Sequence, residues 1–321
     1  MKKLLEKKLS RREFVKFSLV TFFALISNNW LSRLAFSQSA KGETNARKKK
    51  NIKGQHDLVV AKGEDPGAIT RQAIEALGGM DKFVKKGDIV VIKPNMAWDR
   101  APEYAANTNP LVVAALVELC FEAGAKRINV FDRSCNSAQR CYDSSGIKKA
   151  ALEKGAKVYF VDDWNFVDAK FGYDSPMQGW PIYRDAIECD TFINVPILKH
   201  HALAELTISM KNLMGVCGGD RGRMHTDIGR RLLDLTDFIS PDLTVIDAYR
   251  ILDANGPSGG DIKDVRLLKT IIAGTDPTLA DVYACKLAGR EPLDVPNIAE
   301  AAHRGFGSLD IDSADILKLN T

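Results

Sequence analysis

The chain has 321 residues, 45% of them apolar, enough to bury a real core as one large domain or two smaller ones. Its net charge of +4 comes from residues 1–40, where eight Lys/Arg stand against two Asp/Glu, so the remainder carries −2. With no basic stripe left for a folded part, the composition argues against nucleic acid as a partner.

At the amino terminus SRREFVK (residues 10–16) precedes FSLVTFFALIS, an uncharged run of about ten residues, and the small-residue stretch AFSQSA, which offers cleavage sites near Ser37 to Ala40. Spanning a bilayer takes about 20 apolar residues, and Asn28, Asn29 and Arg33 interrupt this run. The expected membrane contact is therefore transient. The heptad resembles the twin-arginine signal S/T-R-R-x-F-x-K. The resemblance implies export of an already folded protein by the twin-arginine machinery, to the periplasm or another extracytoplasmic compartment. Residues 41–55, with the cluster ARKKKNIK, read as a basic, flexible, solvated linker, leaving 56–321 as a single domain.

From residue 57 short β-branched runs (DLVVAKG, DIVVIKP, KRINVFD, KVYFVD, DTFINVP, LTVIDAY, KTIIAG) alternate with helix-like segments, a pattern of the α/β class. Asp65-Pro66, Asn109-Pro110 and Asp276-Pro277 each put a capping side chain before a proline at the first helical position. The strand runs lack polar alternation, which predicts a mainly parallel sheet with helices on both faces. Residues 200–265 are a candidate small subdomain. Of the six cysteines, Cys120, Cys189 and Cys285 lie in apolar contexts, whereas Cys135 and Cys141 flank a polar loop and are the pair to test for a disulfide. No closely spaced cysteine ligands are present, so no iron–sulfur cluster held by this chain is expected.

In open α/β sheets ligands bind beyond the carboxyl ends of the strands. The residues there are polar: Lys93 and Asn95; Asp132, Arg133 and Ser134; Lys199, His200 and His201; Asp247 and Arg250; Thr275 and Asp276. In an extended chain Lys199 and His201 share a face and His200 points away, which leaves His200 as a solvated loop residue. A lysine beside a histidine favours neutral imidazole, fit for a base or a metal ligand. Lys211 and Asn212 precede GVCGGDRGRMH, whose Arg221 and Arg223 could cradle an anion.

The set KPN (93–95), NVPxLKxH (194–201), MKNLMG (210–215), His225, IDA (246–248), NGP (255–257) and DPTLAD (276–281) resembles the domain-of-unknown-function family 362, over about residues 55–290. The resemblance implies that Lys93, Asn95, Lys199, His201, Lys211, Asn212, His225, Asp247 and Asp281 occupy its characteristic positions, without saying what they bind. A ferredoxin-like CxxCxxCxxxC segment carried by some members is absent here.

Three functions fit these residues. One is an enzyme acting on a small carboxylate or phosphate, held by Lys93, Asn95, Lys199, Lys211, Asn212 and Asp281, with His201 or His225 moving a proton and Asp132 or Asp247 orienting it. The second is a receptor that binds the same anion without turnover. The third is a metal or redox-cofactor protein, for which no HxH or HxxxH spacing supplies a preformed site. No metal or other cofactor is assigned.

Overall fold

The structure, a computed structural model, describes residues 45–320. The export-like segment and residues 41–44 lie outside the described residues. The strands are β1 (Leu58–Lys62), β2 (Ile89–Pro94), β3 (Arg127–Val130), β4 (Lys157–Val158), β5 (Phe166–Asp168), β6 (Pro181–Tyr183), β7 (Thr191–Val195), β8 (Ile197–His201), β9 (Glu205–Thr207), β10 (Leu243–Leu252), β11 (Val265–Gly274) and β12 (Ile316–Asn320). Ten of them form one sheet, ordered β12-β1-β11-β10-β7-β2-β3-β4, with β8 and then β9 attached to the far end of β10. From β10 to β4 every pairing is parallel. The exception in the centre of the sheet is β11, antiparallel to both its neighbours. Its connection from β10 holds no crossover helix, and a short link joins neighbouring strands only by reversal.

Alternate strand residues feed opposite faces. Val59, Val90, Ile92 and Val245 pack with the helices Pro66–Ala76 and Pro110–Glu122. Leu58, Val60, Ile246 and Ile272 pack with the helices Pro277–Leu287 and Pro296–Arg304 on the other side. Both faces are covered, which is why the strand runs read as continuously apolar. The three proline-started helices begin as expected: Asp65, Asn109 and Asp276 each accept a hydrogen bond from a first-turn amide.

Two expectations change. Residues 200–265 do not stand apart, because β10 lies between β11 and β7 inside the main sheet; the small separate sheet is β5–β6. The stretch expected to be a solvated linker is partly packed. Arg47 is buried and ion-paired with buried Asp242, and its guanidinium also donates to the carbonyls of Ser240 and Asp190. Lys50 donates to Asp88 and Thr191. A guanidinium taken out of water needs such partners.

Candidate functional site

The carboxyl ends of β2, β3 and β8 converge on a cavity of about 510 Å³. Lys93 is the penultimate residue of β2, Asp132 follows β3, and Lys199 and His201 come from β8, which continues β7 after Pro196. Lys211 and Asn212 lie on the single-turn helix Ser209–Asn212, and His225 closes the 3-10 turn Arg221–His225. All of these and Asn95 line the cavity.

The lysines are not equivalent. Lys93 is paired with Asp132 at 2.7 Å, both side chains buried, and also donates to Asn212 Oδ1 at 3.1 Å. Burial depresses its pKa and Asp132 opposes that. Lys199 Nζ donates to Asn95 Oδ1 at 3.1 Å and to the Ala106 carbonyl, with the Trp98 ring 6.0 Å away. Burial, reinforced by repulsion from Lys211 and Lys93, brings Lys199 down to about 7. Lys211 is 7% exposed, and its Nζ meets only the Met214 thioether at 3.4 Å; among the described residues it has no oxygen acceptor. Burial lowers it to about 8. Asn212 ties the cluster together, accepting from Lys93 and Asn95 and donating to the Lys93 carbonyl and Asn194 Oδ1.

The two histidines stack, ring centroids 5.6 Å apart. His201 Nδ1 accepts from the Leu203 amide at 3.1 Å, which leaves its proton on Nε2. His225 Nδ1 faces the Gly222 carbonyl at 3.1 Å and must donate to it. Its Nε2 is then a lone-pair acceptor, buried and without a partner among the described residues. Burial and nearby Lys211 hold both rings neutral, His201 at about 3 and His225 below the ordinary imidazole value. One ring thus presents a donor and the other an acceptor.

Other expected site residues do different jobs. Asp247 does not line the cavity: buried, it accepts from the amides of Asn109 at 2.7 Å and Tyr249 at 3.0 Å, fixing the start of the helix Pro110–Glu122 to β10. Asp281 is likewise buried away from the cavity and accepts from the amides of Ser209 at 2.7 Å and Met210 at 3.2 Å. It caps the turn that carries Lys211 and Asn212, so it positions two cavity-lining side chains without lining the cavity itself. Asp132 lines the cavity, but its partners are Lys93 and the Met96 amide rather than a histidine. His200 is half-buried, not a solvated loop residue; its Nδ1 accepts from the Gly256 amide at 3.1 Å. A Cβ on Gly256 would fall 2.1 Å from the His200 carbonyl oxygen. That close approach seats the NGP turn, whose Pro257 reaches the cavity wall. Cys135 and Cys141 are free thiols, the first exposed at the cavity, the second buried and donating to the Ala97 carbonyl. Trp98 and Cys135 line the cavity without having been singled out for it; their place in loops directly after β2 and β3 was the available signal.

Among the described residues no group of three or more His, Cys, Asp or Glu is placed to hold a metal ion, and no helix is long and apolar enough to cross a membrane.

Fold and cavity together define an α/β protein with a cationic, histidine-lined cavity at the carboxyl edge of its sheet. The chain belongs to the family described as Domain of unknown function (DUF362), which matches residues 90–286. It is 30% identical over 248 residues to the thylakoid-associated protein sll1697 of Synechocystis sp., covering 74% of this chain and 75% of that one. Among solved structures it resembles the lactate racemase apoprotein from Thermoanaerobacterium thermosaccharolyticum, with a TM-score of 0.43 and 12% identity, over 77% of this chain and 62% of that chain.

Proposed function

We propose that the protein is an exported enzyme that moves a proton on a small anionic molecule bound in this cavity. The observation that carries the reading is the His201–His225 pair, with its opposite tautomers, in the cavity that Lys211 also lines. A neutral imidazole with a free, desolvated Nε2 lone pair is equipped as a general base, and a neighbouring Nε2–H as a donor to charge that develops on the substrate. Lys211 supplies the missing electrostatic half. A buried ammonium without a carboxylate is costly in the empty protein, and an acid group of the substrate would offset that cost. Lys93 and Lys199, already bonded inside the protein, hold Asn95 and Asn212 in place for the site. Export rests on residues 10–16 and their likeness to the twin-arginine signal.

The test is to purify the exported form under native conditions, release the small molecules that accompany it and identify them by mass spectrometry. Those carrying a carboxylate or phosphate are then incubated with the protein in D2O. Deuterium incorporation that is lost in His225→Gln supports the enzyme; tight binding with no exchange or turnover leaves a receptor, and no anion at all removes the reading.

A further inference from the structure

We infer that the ligand of this cavity carries two or more negative charges, one read by buried Lys211 and a second by half-buried Arg221; the inference rests on the anion-site reading above. Among the described residues five cationic side chains line the cavity, Lys93, Arg133, Lys199, Lys211 and Arg221, against one carboxylate, Asp132. That carboxylate is committed to Lys93. Arg133 has Asp163 near it, and Lys199 is held by two neutral oxygens and brought down to about 7. Lys211 and Arg221 form no ion pair among the described residues; their side-chain partners are sulfurs, Met214 for Lys211 at 3.4 Å and Cys135 for Arg221 at 3.9 Å. Arg221 donates from Nη1 to the Arg133 carbonyl and from Nη2 to the Ser134 carbonyl at 2.9 Å, bonds that fix the guanidinium without neutralising it. The two charges feel each other, since Arg221 is among the groups that lower Lys211. A monoanion at Lys211 would leave Arg221 uncompensated at the wall of the same low-dielectric cavity; a dianion satisfies both. Dicarboxylates and phosphate monoesters share that chemistry.

Titration calorimetry on the purified protein at pH 7 and low salt, with matched pairs, separates charge from shape: succinate against monomethyl succinate, and glycerol 3-phosphate against its methyl ester. The dianion of at least one pair is expected to bind about tenfold or more tightly than its monoanionic partner, as one added charge-assisted contact implies. The pair that shows the gain tells dicarboxylate from phosphate. Arg221→Gln should bring the dianion down to the monoanion's affinity, and Lys211→Met should weaken both members of the pair. Because Arg221 also braces two carbonyls, Arg221→Lys serves as the control for a displaced loop: it keeps the charge and should retain part of the preference. Equal affinity within both pairs would overturn the dianion inference while leaving the anion site standing. Binding of neither member of either pair would remove both.

Discussion

Lys93 and Asp132, ion-paired at 2.7 Å, lie directly against Gly215, where an added Cβ would come within 1.8 Å of Asp132 Oδ1 and 2.5 Å of Lys93 Nζ. The glycine of MKNLMG is thus the floor on which the pair rests. Gly215→Ala should cost about 1–3 kcal/mol through overpacking. Asp132→Asn, which strands a buried ammonium, should cost about 3–5 kcal/mol. Adding Lys93→Met to Asp132→Asn should recover part of that loss. Denaturant midpoints read these variants together with Lys93→Met alone, and strict additivity of Asp132→Asn and Lys93→Met in the double variant would show that the pair is not coupled.

Asp281 is the cap of the Lys211 turn, and its carboxyl is raised to about 7 by burial. A carboxyl whose pKa is higher folded than unfolded gives stability that is complete near pH 4 and lost as the pH rises through about 7. Asp281→Asn should therefore cost most at pH 5, about 1–3 kcal/mol for the lost amide acceptor, and progressively less toward pH 8. A cost that stayed flat with pH across that window would mean the carboxyl is ionised throughout.

Lys211 is shifted in the opposite direction. It must be protonated to hold an anion, and burial lowers it to about 8, so affinity for the anion should fall above pH 8, by about tenfold per unit at the limit. Lys211→Met should remove that dependence together with the affinity. It should also stabilise the empty protein by about 1 kcal/mol at pH 7, since a site residue kept for its ligand leaves stability unrealised. Loss of stability with binding unchanged would assign Lys211 to packing.

The sheet was legible in the chain because its central strands β2, β7 and β10 are buried on both faces, so their apolar runs are unbroken, and because Asp65, Asn109 and Asp276 mark helix starts beside prolines. The direction of β11 was not, because reversal is set by the absence of a crossover helix after β10 rather than by any residue of β11 itself. The cavity edge was legible as polar residues after strands. Which of them line the cavity was not: Asp247 sits in a strand context as suggestive as that of Lys93, yet its oxygens are consumed by two backbone amides. Backbone acceptors and donors have no signature in the side-chain alphabet. Arg47 shows the same limit, since a basic cluster reads as solvated until a buried Asp242 is folded beneath it.

The histidine pair makes a claim that needs no substrate. The chain has five histidines, and nitrogen-15 NMR of the imidazoles at pH 7, assigned with His201→Gln and His225→Gln, reads their tautomers directly. His201 is predicted to carry its proton on Nε2 and His225 on Nδ1, both neutral, with a bound dianion shifting these two rings and not His303, which lies outside the cavity. Two rings in the same tautomer, or a protonated pair at that pH, would contradict the assignment of His225 as base and His201 as donor.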